Sequence, residues 1–468
     1  MPSDLNIGSS ERNELFQKRS TNYIGPDESL LEDPIYSVAK PLTMDEILTT
    51  GRYSTLYAEY QGEFTEQEVL NAIQTIVNHC PDLARILNYG NDELLYFAPN
   101  FDKSKGVKVV CIDDSSVDAK ALFENEYNRY EGNVDTSLLK IFYVKGNPSK
   151  FMFFADHFLL DGVGHDVLLS VLLHLLEYPN DLSVLDNLPR SVMHPSNELY
   201  KPGKTPAVAK FIADRIMQMN NPESMDLYRE LSNLSYKLFE VYLSPEEVTA
   251  IKLKCKIEGV SFNDFFVAAV LKTYSNVGLL NPGYQMVGQV VDSRSSLGIH
   301  KNALGDNKDL DIRILLSDIS KKDVWTLAKN LRNTFLNSKN FGISITRQLA
   351  KVAYPGFKTE SVQAVNVTGA MAMTMVSNLG VVGRRFSDSE SMQEISQKLG
   401  QTFFAVQHTP IAPLPIIGTA GSIRGGTTIT TAVQDDFEGD ILSANDIEEF
   451  CNEIKRLFTE SMKENFEA

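Results

Sequence analysis

Residues 150–176 constrain this chain more than any other stretch, because a strand, a tight turn and a helix follow one another there with no linker. Phe151-Met152-Phe153-Phe154-Ala155 is apolar at every position. Both faces of a strand with that sequence must be buried, which places it in the interior of its sheet. Residues 140–145 form a second apolar run, and the intervening Gly146-Asn147-Pro148-Ser149 are turn residues, so the two runs read as a hairpin. Beyond the strand, Val163, Val167, Leu168, Val171, Leu172 and Leu175 recur at the spacing of one helix face until Pro179. Only His157-Phe158-Leu159-Leu160-Asp161-Gly162 separates strand from helix.

That hexapeptide carries chemistry as well as geometry. An imidazole titrating near neutrality can take a proton from a hydroxyl or amine as it attacks a carbonyl, a general-base role worth roughly 10²–10⁴ in rate. His157 is the candidate base. Asp161, four residues on across a tight turn, need not touch the imidazole. Its carboxylate can instead tie the turn to a cation elsewhere, for which Arg294 in Asp292-Ser293-Arg294 is the candidate. Gly162 removes a side chain where the helix must begin and leaves room for a substrate. A histidine ending a core strand also serves as a structural hydrogen-bonding residue, and the hexapeptide alone leaves both readings open. His79, His165, His174, His194 and His300, on helices or in turn-rich segments, read as structural or solvated. No Gly-x-Ser-x-Gly elbow, His-Glu-x-x-His pair or P-loop is present, which argues against those hydrolase chemistries.

Strand and helix signals mix on both sides of a proline-rich stretch, so the fold class expected is α/β. Thr65 with Glu68 forms a capping box, opening a helix that carries Val69, Leu70, Ile73, Ile76 and Val77 on one face and ends at Pro81. Ser244 before Pro245, and Ser261 before Phe262, cap two more helices. Residues 285–291, 311–316, 370–376, 403–407 and 427–433 read as strands, and 323–336 and 443–466 as helices. Pro189, Pro195, Pro202 and Pro206 mark a connection in which 208–219 can form a helix. The expected division is a flexible N-terminus over 1–22, with order beginning near Pro34, a first domain over 23–190, a connection over 191–222 and a second domain over 223–468.

With 468 residues and 43% apolar composition, the chain can bury cores of two or three domain-sized units. Its longest apolar run, 167–176, is interrupted by Ser170 and His174 and falls short of the roughly 20 residues a membrane-spanning helix needs. The N-terminus holds no apolar signal segment, so cytoplasmic residence is expected. Cys80, Cys111, Cys255 and Cys451 are far apart and form no CxxC pair, which argues against a disulfide framework and a thiolate zinc site. A formal charge of −17 argues against nucleic acid as a partner, and an anionic cosubstrate would need a local basic patch.

Three segments in order, His157 to Gly162, Asp292-Ser293-Arg294 and Ser377-Asn378-Leu379-Gly380, resemble the HxxxDG acyltransferase superfamily. This superfamily includes chloramphenicol acetyltransferase, peptide-synthetase condensation domains and the plant acyl-CoA transferases. The first helix followed by Pro81-Asp82-Leu83 extends the likeness, which covers residues 41–458. Within the superfamily the chain looks most like the fungal alcohol acetyltransferase family, which includes N-acetyltransferases of sphingosine-like molecules.

The resemblance implies a pseudo-dimer of two chloramphenicol-acetyltransferase-like domains with a channel between them and His157 midway along it. Acetyl-CoA would enter one mouth as cosubstrate, with no bound cofactor and no metal, and a lipophilic amine or alcohol the other. They would react in a ternary complex of a monomeric enzyme. Asp161 then becomes structural, paired with Arg294 of the Asp292-x-Arg294 segment, and Ser377, Asn378 and Gly380 border the channel near the thioester oxyanion. A plain strand-ending turn is the other reading of that last segment. For the CoA phosphates, Arg384-Arg385, the helix carrying Lys321, Lys322, Lys329 and Arg332, and the glycine-rich 418–426 with Arg424 are candidates; the last also reads as a hairpin.

Two departures stand out. The plant branch's Asp-Phe-Gly-Trp-Gly is absent, and Asp156 stands where condensation domains place a second histidine. Without a carrier segment, a free CoA donor is expected. N-acetylation and O-acetylation of a sphingoid-like acceptor, and O-acetylation of simple alcohols, all suit the same base. A catalytically silent ligand-binding protein on this fold is the competing class. Lipid-like substrates imply contact with the endoplasmic reticulum surface. The helix over 443–466, with Phe450, Ile454, Leu457 and Phe458 on one face, either lies on a membrane or packs on the core; its polar face is acidic, where a lipid-surface helix is normally basic.

Overall fold

The structure is a computed structural model. It describes residues 19–42, 53–89, 95–100, 102–127, 136–193, 235–278, 284–292, 294–305, 308–316, 319–338, 373–386, 389–406, 417–435 and 444–463. In the first half lie β1 (Arg19–Ile24), β2 (Lys40–Pro41), β3 (Tyr53–Tyr60), β4 (Ile86–Tyr89), β5 (Leu95–Ala98), β6 (Val107–Ile112), β7 (Leu139–Val144) and β8 (Ser149–Asp156). The second half holds β9 (Ser235–Leu243), β10 (Tyr284–Asp292), β11 (Lys308–Leu316), β12 (Met373–Val381), β13 (Leu399–Val406), β14 (Ile417–Ser422) and β15 (Gly426–Asp435). The main helices are α1 (Glu66–His79), α2 (Gly162–Glu177), α3 (Pro245–Glu258), α4 (Phe262–Asn276), α5 (Val324–Ser338), α6 (Glu390–Lys398) and α7 (Ala444–Lys463).

Two six-stranded mixed sheets dominate, ordered β1-β6-β7-β8-β3-β13 and β11-β10-β12-β14-β15-β9, with a small sheet β2-β5-β4 beside them. β8 lies between β7 and β3, in the interior position its apolar sequence requires. Its residues divide between two cores: Phe151, Phe153 and Ala155 join the side chains of α1 and α2, whereas Met152 and Phe154 meet Phe123, Phe142 and Phe403 on the opposite face. Burial of each such Phe is worth roughly 1.5–3 kcal/mol. α1 starts on the capping box, with the Glu68 N–H on Thr65 Oγ1 at 3.3 Å and the Thr65 N–H on Glu68 Oε2 at 2.7 Å. Ser244 and Ser261 cap α3 and α4 in the same reciprocal way.

Two features depart from the sequence expectations. Residues 19–24 are not a flexible tail but the edge strand β1, hydrogen-bonded antiparallel to β6. Its sequence, RSTNYI, is polar because an edge strand is stabilised mainly by its backbone ladder. Second, β13 belongs by sequence to the second half yet pairs antiparallel with β3, completing the first sheet. A boundary at residue 223 therefore divides the sequence but not the sheets. Of the two readings its sequence allowed, α7 takes core packing: its apolar face is buried in the second core, with Phe450 against Tyr274 at 4.6 Å and Phe458 against Phe265 at 5.1 Å between ring centroids. Among the described residues no helix is long and apolar enough to cross a membrane. The possible helix at 208–219, and His194, lie outside the described residues.

Candidate active site

The turn that carries His157 is built from its own polar ends. At the end of β8, the Asp156 carbonyl accepts from the Leu159 N–H at 2.8 Å and the Leu160 N–H at 3.2 Å, and Asp156 Oδ1 accepts from the Phe158 N–H at 3.0 Å. Asp156 thus caps the turn. Phe158, Leu159 and Leu160 are fully buried, Phe158 edge-on against Phe97 at 5.0 Å. Ser54 Oγ donates to the Leu160 carbonyl at 2.8 Å, which leaves its lone pair for the Nε2–H of His165, also at 2.8 Å. Burial first, and then neighbouring His157, push the His165 pKa down to about 3, so this ring is a neutral brace inside the core. With the apolar residues anchored below, His157 lines a cavity on the other side of the turn and is 5% exposed.

Asp161 is the N-cap of α2. Its Oδ1 accepts from the Gly164 N–H at 2.7 Å and from Arg294 Nη2 at 2.9 Å, while Oδ2 accepts from Arg294 Nη1 at 2.9 Å. Arg294 opens a short helical turn just past β10, and its remaining reach is taken up by the Ala303 carbonyl, at 2.9 Å from Nε and 2.8 Å from Nη2, and by Asp292 Oδ1 at 3.0 Å from Nη1. Burial alone would lower the Arg294 pKa, but the Asp161 and Asp292 carboxylates more than offset it and hold the guanidinium above its ordinary value. Space at Gly162 is tight: a Cβ there would lie 3.2 Å from Leu379 Cδ1 and 3.3 Å from Phe404 Cζ, so those side chains would have to shift by a few tenths of an ångström.

The cavity has a volume of about 150 Å³, roughly five water volumes. The hexapeptide side contributes His157, Asp161, Gly162 and Val163; β10 contributes Val290, Val291 and Asp292; β12 contributes Met375, Ser377, Asn378 and Leu379; β13 contributes Phe404 and Val406; and Arg385 completes the wall. Both halves of the chain therefore meet at His157. The Ser-Asn-x-Gly segment is not a strand-ending turn; it lies inside β12, at a register irregularity between Asn378 and Val381. Asn378 is committed on both sides of its amide, Oδ1 accepting from the Gly380 N–H at 2.9 Å and Nδ2 donating to Asn263 Oδ1 at 3.1 Å. Ser377 lines the cavity beside it.

Sequence reasoning passed over Asp166, the buried carboxylate within α2, although a charge beside Val167, Leu168 and Leu169 signals a partner elsewhere. Its Oδ1 accepts from the Gly383 N–H at 2.7 Å and its Oδ2 lies 4.0 Å from Arg385 Nε. Burial raises its pKa to about 6 against the opposing pull of the Gly383 N–H and Arg385. Arg385 also donates to Asp292 Oδ2 at 3.0 Å and the Lys301 carbonyl at 3.2 Å, so it is engaged within the protein. Arg384 is exposed and electrostatically faces Lys252 of α3, whose pKa is lowered by burial and by that like charge. Among the other basic candidates, Lys329 pairs with Glu258 at 2.7 Å and Arg332 with Asp264 at 3.3 Å. Residues 418–426 form the β14–β15 hairpin. Its glycines let it press against β13: a Cβ on Gly425 would lie 1.9 Å from the Gly400 carbonyl oxygen.

Solved structures share this fold. TRI101 of F. graminearum, solved with coenzyme A and T-2 mycotoxin, matches 88% of this chain and 96% of its own at 13% identity and a TM-score of 0.58. The fold is two-lobed, mixed α/β and condensation-domain-like. The condensation domain of the monacolin K polyketide synthase MokA matches 91% of this chain and 98% of its own, with 10% identity and a TM-score of 0.58. Polyketide synthase associated protein 5 of Mycobacterium tuberculosis matches 90% and 98% at 12% identity and a TM-score of 0.54. No family model and no curated protein sequence matches the chain. The likeness is therefore one of fold.

Proposed function

We propose that the protein transfers an acyl group, acetyl in the first instance, from coenzyme A to the amine or hydroxyl of a lipophilic acceptor, with His157 as general base. The observation that carries this reading is the placement of His157 on a rigid turn, in a cavity walled by both halves of the chain. Neutral His157 takes the proton from the acceptor as its nitrogen or oxygen attacks the thioester carbonyl. The tetrahedral oxyanion collapses, and the departing CoA thiolate recovers the proton from the imidazolium. Ser377 is the side-chain donor proposed for the oxyanion, since the Asn378 amide is committed to Asn263 and Gly380. Asp161 and Arg294 touch no reacting atom and hold the turn.

Val163, Val290, Met375, Leu379 and Phe404 give the cavity apolar walls, which exclude water and suit an apolar acceptor. A neighbour of the same fold solved with coenzyme A and a small-molecule toxin supports a site for two substrates. The donor's nucleotide phosphates are assigned to Arg384 and Lys252, neither of which has an ion-pair partner among the described residues. Replacing both with Ala is expected to raise the KM for acetyl-CoA about 10-fold, on the order of 0.7 kcal/mol per lost cation contact at an exposed site. With acetyl-pantetheine, which lacks those phosphates, the penalty should disappear.

The acceptor class is tested by following free thiol from acetyl-CoA with long-chain amino alcohols, and with short and branched alcohols. Amide formed only from the first group identifies an N-acetyltransferase, and ester from the second an alcohol O-acetyltransferase. Thiol release with neither group, at saturating donor, sinks the reading in favour of a silent ligand-binding protein.

A further inference from the structure

The Asp161–Arg294 pair is one side of a larger figure. Arg294 Nη1 donates to Asp292 Oδ1 at 3.0 Å, and Arg385 Nη2 donates to Asp292 Oδ2 at 3.0 Å, so one carboxylate serves two arginines, one on each oxygen. Arg385 Nε then stands 4.0 Å from Asp166 Oδ2, and the Gly383 N–H, two residues before Arg385, donates to Asp166 Oδ1 at 2.7 Å. Asp161 and Asp166 belong to the same helix end, the N-cap and first turns of α2. The chain of alternating charges therefore leaves α2 at Asp161, crosses to the second half of the molecule, and returns to α2 at Asp166.

We propose that Arg385 and Asp166 are positioning residues for the His157 turn, closing a ring of ion pairs through Asp292 that fixes the start of α2 at two points. Five residues separate the two anchors, which at 100° per residue sets them about 140° apart around the helix. One anchor alone would resist translation of the helix end but leave it free to roll. Two anchors at different azimuths, tied to a common carboxylate, resist both. The hexapeptide ends where α2 begins, so a roll of the helix displaces His157 relative to β12 and the cavity. Displacements near 1 Å can cost on the order of 10²-fold in rate. The ring also lies at the cavity wall, where Asp161, Asp292 and Arg385 all contribute to the lining.

Turnover as a readout rests on the acyl-transfer reading, so two measurements are paired. In steady state, Arg385→Ala is expected to lower kcat by roughly 10-fold to 100-fold with the KM for acetyl-CoA changed less than about two-fold. Arg385→Lys should restore only part of it, because one ammonium cannot serve Asp292, Asp166 and the Lys301 carbonyl together. Asp166→Asn should lower kcat in the same direction. In the substrate-free protein, the imidazole resonances of His157, assigned by their loss in His157→Ala, are expected to shift in each of these variants. If wild-type protein turns over no acceptor, the function proposed above fails, and the resonances alone still decide the positioning role. Unchanged kcat with unchanged His157 resonances in a folded Arg385→Ala overturns the proposal, as does an effect confined to KM. Should that variant not fold, the same two outcomes in Arg385→Lys and Asp166→Asn overturn it.

Discussion

Replacing His157 with Ala is expected to lower acceptor-dependent thiol release from acetyl-CoA by roughly 10²–10⁴-fold, with coenzyme A binding retained. The size follows from the role. Removing the imidazole takes away the base but leaves the apolar walls, Ser377 and the donor-binding surface in place, so the loss should fall on kcat and spare KM. The fold should survive, because Phe158, Leu159 and Leu160 carry the packing of the turn, and Asp156, Ser54 and Asp161 carry its hydrogen bonds. Calorimetry with coenzyme A and a thermal melt would separate a lost base from a lost structure. A variant that keeps wild-type turnover would remove His157 from the chemistry.

The second large effect is on stability. Arg294→Ala should destabilise the protein by about 3–5 kcal/mol, the range for removing one partner of a buried ion pair. Arg294 is 1% exposed and Asp161 2%. Truncation removes both guanidinium contacts from the buried Asp161 carboxylate, and it also takes away the two donors that the guanidinium gives the Ala303 carbonyl. Asp161→Asn should cost less, since its amide oxygen can still cap α2 and Arg294 keeps Asp292. Urea melts of the three proteins would show the order, read as midpoints at a common slope. Equal midpoints for wild type and Arg294→Ala would mean that the pair holds nothing.

How much of this was readable in advance varies with the kind of interaction. The strand, turn and helix around His157 were legible because each rests on neighbours in sequence: the two-faced apolar run at 151–155, the helical spacing from Val163, and the caps at Thr65, Ser244 and Ser261. The destination of β13 was not. Its TFFAV run is apolar in either sheet, and only contacts between β13 and β3 assign it to the first. β1 was hidden by the opposite problem, since an edge strand needs no apolar pattern.

At the site, residue types pointed to His157 and Asp161, and the Asp-x-Arg segment pointed to Arg294 as the partner of Asp161, a contact spanning 133 residues that the structure forms. Asp166 drew no reading from its sequence, and Arg385 read as a candidate for the CoA phosphates. Their partnership depends on the two halves docking. Nor could sequence say that Asn378 spends its amide on Asn263 while Ser377 faces the cavity.

The central claim is direct acyl transfer between two bound substrates at His157, and following a carbon-13-labelled acetyl group from coenzyme A to a long-chain amino alcohol tests it most directly. The account predicts labelled acceptor and free thiol mole for mole, intersecting double-reciprocal lines and an unchanged protein mass. Parallel lines with label resting on the protein, or label that never leaves coenzyme A, would contradict it.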